Sequence, residues 1–193
     1  MGDSGWRSHY TSELRAEEIR RLGLGATALV GHSFGGMVAC EIAAAMPERV
    51  KRLVLIDPLG LWRDELPVNN SMILPDDQRR QALFADPAGG AAERFLELPA
   101  EPGARAEAQA GFIWSQACTG KFVWPIPDKG LKKRMHRIAA PSLIVWGDAD
   151  AVIAPNYAQD FAERIADARV ALIARAGHLP HLEQPEEAEF LGR

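Results

Sequence analysis

Four short apolar runs punctuate the chain. Ala26-Thr-Ala-Leu-Val30 lies between Gly25 and Gly31, and Val50-Lys-Arg-Leu-Val-Leu-Ile56 is closed by Asp57-Pro58. Pro141-Ser-Leu-Ile-Val-Trp-Gly147 and Ala168-Arg-Val-Ala-Leu-Ile-Ala174 follow much later. Their length and their Gly, Pro and Asp flanks predict strands rather than buried helices. Around them the apolar positions take a helical spacing. Residues 12–22 carry Leu14, Ile19 and Leu22 among charges, with Ser12 as a cap and Gly23 and Gly25 as stops. Gly35–Met46 is rich in small residues and good helix formers and ends at Pro47, which predicts a buried helix. Tyr157, Phe161 and Ile165 mark another over 156–166, and a last helix is expected from Pro185, with proline in its first turn.

Residues 61–137 break this pattern. Helical stretches at 76–84, 91–97 and 104–118 are interrupted by Gly and Pro, and no apolar strand-like run occurs. Aromatic residues are scattered through the segment, among them Trp62, Phe84, Phe95, Phe112, Trp114, Phe122 and Trp124. The expected order is therefore helix, strand, helix, strand, a helical insert, then strand, helix, strand, helix. Such alternation predicts an α/β fold, a parallel sheet covered by helices on both faces. Reactive groups in such sheets gather at the carboxyl ends of the strands.

Composition narrows the function classes. The 193 residues are 47% hydrophobic and 25% charged, which excludes a disordered chain and allows one domain with an inserted lobe. A net charge of −4 leaves no basic excess for a phosphate backbone, so nucleic acid is excluded as a partner. The cluster Lys132-Lys133-Arg134 is expected to be a solvated face. No run approaches the ~18 apolar residues of a membrane span, and Met1–Arg7 has no signal-peptide core, so a cytoplasmic protein without membrane contact is expected. Cys40 and Cys118 lack zinc-type spacing and are expected to be buried, reduced thiols. Nothing calls for a metal or a cofactor.

The run from the first strand into Gly31-His-Ser-Phe-Gly-Gly36 and then into a helix is a G-x-S-x-G turn with serine at its apex. A sharp turn leaves no room for side chains beside the serine, which predicts a need for glycine at Gly31 and Gly35. Ser33 Oγ would stand at the head of the helix, where free N–H groups favour developing negative charge, with the Phe34 N–H directed at an oxyanion. The run is not G-x-G-x-x-G and lacks the lysine of a phosphate loop. His32 is expected to shape the turn.

A serine needs a base, and the base a carboxylate to orient it. The third strand runs into Trp146-Gly-Asp-Ala-Asp150 and the fourth into Arg175-Ala-Gly-His178, on the same rim as Ser33. On the residues alone, Asp150, Asp148 and Asp57 compete as the acid, and His178 and His181 as the base.

With these motifs assembled, the chain resembles the α/β-hydrolase family, of the capped esterase and meta-cleavage-product hydrolase type. The resemblance rests on Gly31–Gly36, Leu53-Val-Leu-Ile-Asp-Pro58, Leu143–Asp150 followed by Pro155, and Ala176-Gly-His-Leu-Pro-His-Leu-Glu183 followed by Pro185. It implies Ser33 as nucleophile, Asp150 as acid, His178 as base and Phe34 in the oxyanion hole. It implies a core of residues 1–60 and 138–193, a helical cap over 61–137, and a small apolar or aromatic carbonyl substrate. Relatives that open epoxides or remove halides carry aspartate at the apex, so Ser33 implies attack on an ester, thioester, amide or ketone-type C–C bond. A lyase or a cofactor-free oxidoreductase on the same fold, and a non-catalytic binder that retains it, remain alternatives.

Full-length relatives carry about eighty or more residues before the helix that precedes the nucleophile strand, with four strands, a helix and a His-Gly loop supplying a second oxyanion N–H. The resemblance therefore implies that only the family's fifth to eighth strands are present. A gene fragment, a partner chain supplying the first half, and a degenerate paralogue would each explain this, the first being preferred. The strand at 26–30 is then expected to be an apolar edge, and the chain alone to be weakly stable, self-associating and poorly active.

Overall fold

A computed structural model describes residues 25–187. Strands β1 (Thr27–His32), β2 (Val50–Ile56), β3 (Ser142–Gly147) and β4 (Ala168–Ile173) lie side by side in that order. Every neighbouring pair is parallel, as the α/β pattern requires. Parallel neighbours need long crossovers. These are α1 (Phe34–Ala45) between β1 and β2, a helical excursion between β2 and β3, and α5 (Tyr157–Ala162) between β3 and β4. The expected helix at 12–22 lies outside the described residues, as does the chain beyond residue 187. A single turn not foreseen from the sequence, α6 (Pro180–Glu183), follows β4.

The period of two along β2 and β3 builds the two faces of the sheet. Leu53, Leu55, Ile144 and Trp146 are fully or nearly fully buried and pack with Cys40 and Ala43 of α1 and Tyr157 and Phe161 of α5. The opposite face gathers Ile56, Val145, Ile173 and Ala176, with Val54 and Leu143 half-buried beside them. β1 forms one edge of the described sheet, and its Val30 is 60% exposed.

The excursion holds α2 (Asp76–Leu83), α3 (Gly90–Leu96), α4 (Pro102–Val123) and short 3-10 turns, with no strand among its residues. α4 runs five residues past the expected stop at 118 and ends just before the cis bond Trp124–Pro125. Its start is set by Pro102 in the first turn and by Glu101, whose carboxylate accepts from the N–H groups of Gly103 (2.9 Å) and Ala104 (2.6 Å). Leu131, Met135 and Ile138 then bring the chain back into the main core.

Two expectations fail here. Arg134 is not part of a solvated face: its guanidinium makes a two-pronged ion pair with Glu41 of α1 (2.9 and 2.5 Å), tying the end of the excursion to the core. Lys132 pairs with Asp128 at 2.9 Å. Cys40 is buried, and burial pushes its thiol far up, but Cys118 is exposed on α4. A three-residue charge cluster and a lone cysteine do not reveal which face of a helix meets the core.

Candidate active site

Four consecutive strand ends supply four polar side chains to one rim. Ser33 follows β1, Asp57 follows β2, Asp150 follows β3 and His178 follows β4. Ser33 has φ 53° and ψ −118°, a conformation non-glycine residues avoid at a cost of about 1–3 kcal/mol. Its backbone is held from both sides. The N–H donates to Ile56 O (2.9 Å), and the carbonyl accepts from Gly36 (3.0 Å), Met37 (3.2 Å) and Leu59 (3.0 Å). A Cβ at Gly31 would collide with Gly35 O, so glycine is required there as expected. The expectation for Gly35 is wrong: a Cβ there would meet nothing within 4 Å. The second tight position is Gly36, where a Cβ would stand 2.7 Å from that of Pro58. The packing of α1 against the strand-end loop, not the turn itself, makes that demand.

His178 lies 2.9 Å from Ser33 Oγ through Nε2 and 2.9 Å from Asp150 Oδ2 through Nδ1, although Ser33 and His178 are 145 positions apart. Asp150 Oδ1 accepts from the N–H groups of Val152 (2.8 Å) and Ile153 (3.0 Å). Asp150 and His178 are buried. Asp148, the nearest competitor in sequence, is exposed. His181 sits in α6 with its ring 5.1 Å from that of His32, one place removed from the serine. Phe34 opens α1, and its ring stacks on Phe122 of α4 at 6.2 Å and 25°.

The histidine loop is braced by His32, expected only to shape the turn, and by Glu183 and Leu83, for which the sequence suggested no role. His32 Nε2 donates to the carbonyl of His178 (2.7 Å), joining the serine turn to the base loop as well as shaping the turn. Glu183 accepts from Gly177 N–H (2.6 Å) and Asp86 N–H (3.1 Å). The His178 N–H itself donates to Leu83 O (2.9 Å) at the end of α2. A Cβ at Gly177 would lie 2.7 Å from Leu83 O, and one at Gly147 would overlap Gly177 O. The loop is thus gripped by the excursion on one side and by β3 on the other. Glu183 stands within the motif that carries the resemblance, and that was the available signal; Leu83 acts through its backbone and had none.

Desolvation dominates the electrostatics. Burial, then the His178 charge, lowers His32 from 6.5 to about 3, so it is a neutral hydrogen-bond donor. His181 is lowered for the same two reasons. Burial, then the Asp150 charge, raises the Asp57 carboxyl well above the usual range. One ligand-type atom each from His32, Asp57 and His178 lies within 4.8 Å of the others. The ring nitrogens of His178 already face Ser33 and Asp150. The group is therefore better suited to moving a proton than to holding a metal.

A profile described as the alpha/beta hydrolase family matches residues 1–189. Lipase 3 of Moraxella sp. (strain TA144) is 26% identical over 194 residues, covering 90% of this chain. The chain spans 58% of that lipase's length. The pimeloyl-[acyl-carrier protein] methyl ester esterase of Photobacterium profundum is 30% identical over 203 residues, covering 93% of this chain and 76% of the esterase. A solved meta-cleavage product hydrolase from Pseudomonas fluorescens IP01 shares the fold, with TM-score 0.68 at 23% identity over 90% of this chain and 65% of that one. No helix among the described residues is long and apolar enough to cross a membrane.

Proposed function

The chain belongs to the alpha/beta hydrolase family, and from that premise we propose that it is a serine hydrolase acting on esters or related small carbonyl compounds. The observation that carries this reading is the continuous relay Ser33 Oγ, His178, Asp150, with 2.9 Å at each link. Asp150 Oδ2 accepts the Nδ1 proton, which leaves Nε2 free to accept from Ser33. As Ser33 Oγ attacks the carbonyl carbon, its proton passes to Nε2, and Asp150 stabilises the imidazolium. The oxyanion forms at the head of α1, where the Phe34 N–H is the donor assigned to it. His178 then protonates the leaving group, and water repeats the sequence on the acyl-serine.

Residues 61–137 serve as the cap. The stacking of Phe122 on Phe34, next to the nucleophile, favours an apolar or aromatic substrate. The names of the relatives, a lipase and a methyl ester esterase, favour an ester as the bond cleaved. A fluorophosphonate probe tests the reading: Ser33 is expected to become the labelled residue in a peptide map. A folded chain that resists labelling would favour the non-catalytic binder instead.

A further inference from the structure

Asp57 is fully buried at the end of β2, with φ 42° and its own N–H donating to Val145 O (3.0 Å). Oδ1 accepts one hydrogen bond, from Gly147 N–H at 3.0 Å. Oδ2 is buried and meets no donor among the described residues. A buried carboxylate needs several donors or a cation to remain ionised. Here the facing charged groups are Asp150 after β3 and Glu183 of α6, both acidic. The nearby imidazoles do not compensate: His32 is held neutral, and His178 directs its ring nitrogens at Asp150 and Ser33.

Asp150 has the opposite surroundings. Its two oxygens accept from Val152, Ile153 and His178, which suits a full negative charge. Both residues are tied to Gly147: Asp57 Oδ1 takes its N–H, and the Asp150 N–H donates to its carbonyl at 3.2 Å. A carboxylate oxygen of Asp57 also lies within 4.8 Å of a ring nitrogen of His178, whose Nδ1 meets Asp150 Oδ2. Two facing anions here, one of them with a buried oxygen that no donor meets among the described residues, would be strongly unfavourable. One proton placed on Asp57 Oδ2 satisfies both.

We propose that Asp57 is a neutral carboxylic acid that donates its proton as a hydrogen bond to Asp150, and so is a positioning residue for the acid of the relay. The role in a relay rests on the serine-hydrolase reading; the carboxyl pair does not. The added donor holds the Asp150 carboxylate in the rotamer that faces His178 Nδ1.

Infrared spectroscopy of the folded chain at neutral pH reads the proton directly. The expected spectrum contains the carbonyl stretch of a protonated carboxylic acid, which shifts on aspartate-selective ¹³C labelling and vanishes in Asp57→Asn. The absence of a labelled acid band in the wild-type chain overturns the proposal, whether or not any variant folds. The rate of fluorophosphonate labelling supplies a second readout. Asp57→Ala removes the donor and is expected to slow labelling about tenfold, while Asp57→Asn, which restores one, recovers most of the loss. Asp57→Asn as damaging as Asp150→Asn would instead make Asp57 an ionised partner of His178 and overturn the assignment. A chain that shows the band but no labelling keeps the carboxyl pair and sinks the hydrolase reading alone.

Discussion

The rim of strand ends and the long helix α4 are built on opposite terms. At the rim, backbone meets backbone at distances that exclude a Cβ at Gly31, Gly147 and Gly177, although Asp57 Oδ2 and His181 Nδ1 are buried there without a hydrogen-bond partner among the described residues. Along the 22 residues of α4 only Val123 is buried, and Ile113 and Trp114 are 67% and 73% exposed. The first region owes its shape to long-range contacts. The second rests on local devices, the Glu101 cap and Pro102 at one end and good helix formers between. The proposed relay, which would tolerate little misplacement, sits on the first; the second belongs to the proposed cap.

Substitutions can break or sharpen this contrast. The largest effect is expected from Ser33→Ala: a loss of hydrolysis on the order of 10⁶ in kcat, with the circular dichroism spectrum retained. Asp150→Asn is expected to cost on the order of 10⁴, while Asp148→Asn, at an exposed position, leaves the rate alone. Equal damage from the two would remove Asp150 from the relay. Gly36→Ala is expected to lower stability by about 1–3 kcal/mol in chemical denaturation, against Pro58, whereas Gly35→Ala gains up to about 1 kcal/mol.

The pH dependence of stability comes next. The folded chain refuses a proton at His32 until about pH 3, while the unfolded chain accepts one below 6.5. This contribution is complete above 6.5 and is lost as pH falls, with a slope of at most about 1.4 kcal/mol per pH unit. Asp57 acts with the opposite sign, because the folded chain keeps a proton that the unfolded chain releases above 3.8. Its contribution declines as pH rises. Denaturation midpoints against pH are expected to show a flatter acid limb in His32→Gln and a flatter decline toward neutral pH in Asp57→Asn. Trp114→Ala is expected to move stability by no more than about 0.5 kcal/mol. A larger loss would mean that α4 is held by contacts and would erase the contrast.

The same division governs what the sequence could disclose. The strands were legible because each centres on a short apolar run with Gly, Pro or Asp close by, as at Leu53–Ile56 before Asp57-Pro58. That a serine, an acid and a histidine would meet on one rim was legible because a parallel sheet puts all its carboxyl ends there; the choice of Asp150 over Asp148 and Asp57, and of His178 over His181, came from the family resemblance. Phe34 was placed by its position after the serine. The extent of α4 was not legible, since Gly120 carries no mark of being tolerated inside a helix. Gly36 was missed in favour of Gly35 because the clash comes from Pro58, more than twenty positions away. Arg134 was misread for the same reason: its partner Glu41 lies on the far side of the sequence.

The bond from His178 N–H to Leu83 O has a consequence for chimaeras. By sequence Leu83 belongs to the exchangeable segment 61–137, yet it props the histidine of the core. Because the contact is made by backbone, it depends on the path of the chain rather than on the side chain at that position. A transplant that swaps the whole segment for another's would carry away the histidine's support together with the proposed cap. A graft that begins after Asp86 would leave the support behind and exchange α3 and α4 alone. The boundary that matters for recombination therefore runs through the middle of the insertion, not at its ends.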